Sequence, residues 1–258
     1  KIGMRSSPTV MNNSFNGQQQ AVQISNGSTG LLKGNHFSAN QSGISLHRAF
    51  AGEIRNNQFE KNQVGIYAYQ TRNTPVIEEN QFLENEEGIQ AFSFSYPVVR
   101  NNHFVANGTA LKNDQFGSAQ VEHNLFRDNR TALFNNRKSN PQVRKNLFEG
   151  NDLILFCDYS SYPQVKDNNF LANKMAVELG IFQSADWEQR AGSKGLVKQK
   201  AQARSSRNPL LAEAPTKYED RVDVSGNWWG KRTALLQQAG TDANLDFFFD
   251  RRDKPEVG

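Results

Sequence analysis

Asp114, Asp158 and Lys112 are the residues of this sequence whose types best suit chemistry on a sugar chain. Glycoside cleavage needs one carboxyl that donates a proton and a second that attacks or activates water. A lyase or epimerase would add a cation to neutralise developing charge. Five aromatics, Tyr67, Tyr69, Phe92, Phe134 and Phe156, offer flat faces for stacking on sugars or packing against a protein partner. Metal chemistry has less to work with. His36, His47, His103 and His123 are scattered, and Met4, Met11 and Met175 form no cluster. Cys157 is the single cysteine, which excludes an internal disulfide and a multi-thiolate site. We expect no metal and no cofactor.

What these residues can do depends on the repeat that carries them. The tripeptide Asn-x-Phe starts at Asn13, Asn35, Asn57, Asn80, Asn102, Asn124, Asn146 and Asn168, and the Phe-to-Phe steps are 22, 22, 23, 22, 22, 22 and 22 residues. Three residues before each Asn stands an aliphatic residue, from Val10 to Val165. Five after it a second Asn returns in seven repeats, from Asn40 to Asn173. Eight and nine after it comes a small-then-aliphatic pair such as Gly65-Ile66 or Ala110-Leu111, with Ile154-Leu155 as the exception. Apolar residues two apart, in runs bounded by Asn and Gly, suit short strands and are too brief for helices. Three strands and three turns in 22 residues make one coil of a parallel β-helix, stacked about 4.8 Å from the next.

That architecture accounts for a chain of 258 residues that is only 36% hydrophobic yet holds 18 Phe and 29 Asn. Phe and aliphatic columns fill the cylinder. Asn, tolerant of left-handed backbone, is expected at the corners, bonding to its equivalents on neighbouring coils. Sixteen of the 29 Asn, counting Asn227, fall in the two columns and are read as scaffold. A leucine-rich horseshoe would need several Leu per unit. The aromatic load argues against disorder, and with no run of about 18 apolar residues no membrane-spanning helix is predicted.

The pattern Val-x-x-Asn-x-Phe-x-x-Asn-x-x-Gly-Ile, over roughly residues 10–180, resembles the right-handed parallel β-helix repeat proteins, which include carbohydrate-active β-helices and the periplasmic NosD-like group. Gly226-Asn227-Trp228-Trp229-Gly230 looks like the closing coil of NosD-like chains. The resemblance implies an all-β fold, a single right-handed parallel β-helix solenoid of about nine 22-residue coils with a C-terminal cap, in a periplasmic or secreted protein. It transfers no site. The polygalacturonase motifs Asn-Thr-Asp, Asp-Asp, Gly-His-Gly and Arg-Ile-Lys are absent, and the copper-related role of the NosD-like group finds no matching ligands.

Three segments follow. Residues 1–180 are the coils, 181–221 a basic insert, and 222–258 the last coil and cap. The insert carries Arg190, Lys194, Lys198, Lys200, Arg204 and Arg207 with no acid between the first and last. It reads as a solvated loop or a segment that docks on an acidic protein, a polyanion or a membrane surface, with a short helix allowed around 195–203. No interleaved aromatics suit nucleic-acid stacking there, and a net charge of +4 is mild. A helix over Thr233–Gln238 and a strand over Leu245–Phe249 would cap the solenoid. Residues 1–10 show no apolar signal core, and Val10 opens the first coil abruptly; a removed preceding segment or a second chain over that end, as in a larger assembly, is the expectation.

Function then belongs to outward columns. Lys33, Arg55, Glu78, Arg100, Glu122, Arg144 and Lys166, two before the repeat Asn, form a charge ladder that alternates in sign from Arg55 to Arg144. Positions ten and twelve after it hold Tyr67 and Tyr69, Gln90 and Phe92, Lys112 and Asp114, Phe134 and Asn136, then Phe156 and Asp158. Phe94, Tyr96, Phe116, Tyr159 and Tyr162 in the adjoining turns extend that face or fold over it. Asp114 and Asp158 are two coils apart, roughly 9.6 Å between backbones. Only an inverting hydrolase tolerates such a gap, and Asn136 lies between them. Glu84, Glu86 and Glu87, the densest acidic group, are read as solvated. The sequence thus favours a non-catalytic scaffold or binding module that recognises a polysaccharide or protein partner through one lateral face, with a polysaccharide-acting enzyme as the alternative.

Overall fold

The computed structural model of the chain describes residues 1–3, 5–48, 50–183, 221–240 and 243–257. Eight coils each contribute three short strands, the first being Thr9–Met11, Ser14–Asn16 and Gln20–Ser25, the eighth Gln164–Lys166, Asn169–Leu171 and Met175–Leu179. Every pairing is parallel and joins one coil to the next, as in Val10 with Leu32, Phe15 with Phe37 and Val22 with Ile44. Two eight-stranded sheets and one nine-stranded sheet result. A ninth coil is only sketched, by bridges from Asp223 to Gln164 and from Trp228 to Asn169, and by the strand Phe248–Phe249 beside Val177 and Glu178.

The columns expected inside are inside. Leu32, Ile54, Ile77, Val99 and Val121 are fully buried, as are Phe37, Phe59, Phe82, Phe104, Phe126 and Phe148. From Phe15 to Phe148 the rings stack with centroids 4.7–5.0 Å apart and planes within 7°. The coil spacing sets that distance, so a ring every 22 residues builds a continuous aromatic column. Burial of each ring is worth about 2–3 kcal/mol. Trp229 ends the column, its ring centroid 4.4 Å from that of Phe170.

The asparagines stand at corners where the turning chain offers no carbonyl in register to their own N–H. Asn102 N donates to Asn124 Oδ1 at 2.9 Å, and its Nδ2 donates to the same oxygen and to the carbonyls of Ile77 and Arg100. The second column repeats this, with Asn107 bonded to Asn129 and to the Phe82 carbonyl. Losing one such buried amide, with its partners left unsatisfied, costs roughly 1–3 kcal/mol. The left-handed backbone lies elsewhere than expected. It belongs to the residue before each column Asn, in the first column Asn12, Gly34, Asn56, Glu79, Asn101, His123, Lys145 and Asp167 (φ 54 to 66°) and in the second residues such as Ala39, Lys61, Glu84 and Ala106 (φ 52 to 56°), because reversing the chain there aims the following amide inward.

The third corner uses two successive left-handed residues, such as Ser93-Phe94 and Gln115-Phe116. Phe94 stacks on Phe116 at 4.8 Å and is buried, and Tyr162 is buried with its hydroxyl donating to the Gln183 carbonyl. These rings therefore pack into the turns instead of extending the outer face. The inward column also holds an unexpected amide pair. Asn113 Nδ2 donates to Asn135 Oδ1 at 3.0 Å, and Asn113 Oδ1 receives Ala119 N. Cys157 follows in that column, fully buried, and burial pushes its thiol above the ordinary range.

The charge ladder forms only in part. Arg100 pairs with Glu78 at 2.7 Å and Arg144 with Glu122 at 2.6 Å, while Arg55 meets Glu53 of its own strand. Glu87 is drawn out of the supposedly solvated trio by Lys112, 2.6 Å away. In the cap the helix runs Arg232–Ala239, but the strand is Phe248–Phe249 only. Phe247 turns inward instead, is fully buried, and lies under the Arg232 guanidinium at 4.4 Å. A longer strand would have pointed that ring away from the open end it plugs.

Candidate binding face

The outer surface of the third sheet collects the side chains of interest, because its strands are the longest and their alternate residues point outward. Four rings on coils 2 to 4 meet there. Tyr67 and Tyr69 lie 6.4 Å apart and nearly parallel; Phe92 is 6.3 and 6.0 Å from them, and His47 5.8 and 5.9 Å. Burial, then Arg48 and Lys1, hold the His47 imidazole below its usual pKa, so it packs as a neutral ring. Phe134 and Phe156 form a second stack at 4.7 Å on coils 6 and 7. Between the two groups Lys112 is held by Glu87 and approaches the Phe134 ring at 5.8 Å. All five expected aromatics are half-buried.

Each of the expected catalytic residues is engaged in contacts of its own. Asp114, at 6% exposure, sits deeper than an outward position predicts. Its Oδ1 accepts from Gln115 N at 2.8 Å, with Arg137 at 3.8 Å. Asp158 accepts from Tyr159 N and Phe182 N, both at 2.9 Å, and leans toward the eighth coil over Gly180. A Cβ at Gly180 would lie 2.3 Å from that carboxyl, so glycine leaves the space the aspartate fills. Burial raises both carboxyl pKa values. Each acid organises its own turn, and Lys112 serves Glu87.

A groove of about 700 Å³ opens beside Tyr67 on coils 1 to 3, lined by Gln18, Gln19, Gln20, Gln41, Ser42, Ser45, Gln63, Val64 and Tyr67. Gln18 stands in the second Asn column, where its N–H still donates to Asn40 Oδ1. The sequence reading missed this groove, although its signal is plain once the column six after the repeat Asn is written out as Gln19, Gln41, Gln63. A smaller hollow of about 540 Å³ lies between the eighth coil and the cap, against Phe170, Trp229 and Arg232. Arg190, Lys194, Lys198, Lys200, Arg204 and Arg207 lie outside the described residues. Among those described, no three His, Cys, Asp or Glu side chains gather as a metal site, and no helix is long and apolar enough to cross a membrane.

The family model described as right handed beta helix region matches residues 2–148. The chain belongs to the right-handed β-helix family. That membership supplies the hand of the coils, which the spacing of residues did not. No curated protein and no solved structure matches the chain.

Proposed function

We propose that this right-handed β-helix is a non-catalytic binding module that recognises a polysaccharide through the outer face of its third sheet. The observation that carries the reading is the cluster of Tyr67, Tyr69, Phe92 and His47, four rings assembled across three coils. Ring faces of this kind stack on sugars, and a surface cluster of aromatics marks a recognition site. The proposal carries a periplasmic or secreted location with it, since structural polysaccharides are met outside the cytoplasm. The basic insert would then be a separate docking segment.

Affinity electrophoresis against a polysaccharide panel tests this. Tyr67→Ala with Tyr69→Ala is expected to abolish retardation, while Asp114→Asn and Asp158→Asn leave it unchanged. Turnover of any polysaccharide that disappears in the aspartate variants would establish the hydrolase, lyase or epimerase instead. Capture of a protein ligand by the same face, with no polysaccharide retained, would make the module a protein-binding one.

A further inference from the structure

We propose that coils 1 to 3 carry a subsite for an uncharged, hydroxyl-rich glycan chain laid along the solenoid axis in the glutamine groove. The inference rests on the lateral-face reading and narrows its ligand. The nine lining residues offer five amides, two serine hydroxyls and one phenol, and no carboxylate or ammonium group. The side-chain amides of Gln19, Gln20, Gln41 and Gln63 make no hydrogen bond to the described residues. Each presents an oxygen that accepts and a nitrogen that donates, which is the pairing that neighbouring sugar hydroxyls require.

Register orders these amides. Gln20 pairs with Ser42 and Ser42 with Val64, so Gln19, Gln41 and Gln63 stack one above another at the coil spacing of about 4.8 Å. One pyranose unit of an extended glycan advances by a similar length, so successive sugars meet equivalent amides. Short side chains make the floor: the Ser42 and Ser45 hydroxyls lie 2.9 Å apart, and Ser45 holds the position where later coils carry Tyr67, Gln90 or Lys112. Tyr67 closes one end with an aromatic face. A volume of about 700 Å³ falls within the usual range of small-ligand sites.

Neutrality is local to these coils. From the fourth coil onward the same two outward columns carry Glu86, Glu87, Arg130, Asp152 and Lys174, and Lys112 stands in the column beyond. An acidic or amino sugar chain would be desolvated in the groove with no opposite charge to receive it. A neutral chain meets no such penalty.

Titration calorimetry with a panel of oligosaccharides tests the proposal. The neutral probes are gluco-, manno- and xylo-hexasaccharides, the charged ones hexagalacturonate and hexaglucosamine. At least one neutral hexasaccharide is expected to bind, more tightly than either charged chain. Gln41→Ala with Gln63→Ala should weaken it about tenfold or more, from two lost hydrogen bonds. Gln41→Glu with Gln63→Glu should weaken it similarly. Both glutamines are exposed, and thermal unfolding of each variant confirms that it folds. Binding that survives the glutamine changes but is lost in Tyr69→Ala with Phe92→Ala would overturn the groove while leaving the lateral-face reading intact. Preference for a charged chain would also overturn it. If no oligosaccharide binds, both readings fall.

Discussion

Amide side chains do at two of the three corners what backbone carbonyls do along a strand. Asn80, Asn102 and Asn124 pass one hydrogen bond after another up the molecule, each Oδ1 receiving two donors from the coil before it. Asp158 is the contrary case, a carboxyl whose charge is poorly solvated. Burial raises its pKa, and the N–H groups of Tyr159 and Phe182 pull it only part of the way back. A carboxyl raised in the folded state costs stability once pH exceeds its ordinary value, and costs nothing when protonated in both states. Asp158→Asn keeps an oxygen for both N–H groups and removes the charge. The variant should therefore melt above the parent at pH 7, with the difference vanishing below about pH 4. A parent more stable at pH 7 would show that the carboxylate's hydrogen bonds outweigh its desolvation. Column arithmetic placed Asp114 and Asp158 on one line of the face. It was blind to their directions, which depend on the left-handed residues after them and on the missing side chain at Gly180.

Strands of three residues hold together only because a partner lies on each side, so the terminal elements decide how firmly the stack is closed. Trp229 covers the last Phe of the column, and Phe247 lies against Trp229 with centroids 6.3 Å apart. Trp229→Ala should remove about 3 kcal/mol of local packing. Hydrogen exchange should then quicken in 164–179 and leave coils 3 to 5 as protected as before. An even loss of protection across all coils would show instead that the cap and the solenoid unfold as one unit. The cap was half legible. Helix Arg232–Ala239 follows from a run of good helix formers ended by Gly240, and the sequence located it within a residue at each end. The expected strand over Leu245–Phe249 shrank because the apolar side chain of Phe247 suits a strand and an inward turn alike. Only the open end of the solenoid makes turning inward the better burial.

For the whole molecule, a repeat of constant length means that coils are interchangeable in register. Deleting residues 103–124 joins Asn102 to Leu125 and closes every column on its next member. The shortened chain should fold, with unfolding reduced by roughly one coil's share of stability, whereas deleting 103–113 should fail. Circular dichroism and thermal unfolding of both chains check this. The fold was legible at this scale because period, column and composition all reported the same coil. The glutamine groove was not, since neutral polar side chains leave no apolar stripe to follow and matter only through the surface they jointly enclose.

The corner amides also give the solenoid a direction. Bonds from one Asn to the next run a single way in both columns, from the donor on the earlier coil to the Oδ1 on the later one, and Asn13 Oδ1 accepts from nothing among the described residues. A coil docked beneath Asn13, whether from this chain or another, must therefore bring N–H groups to its Oδ1, together with a carbonyl for its Nδ2 such as Val10 gives Asn35. Two such ends placed face to face would set acceptor against acceptor. The ladder can be prolonged only in single file, head to tail, and a twofold pair built on that end would break it at the seam.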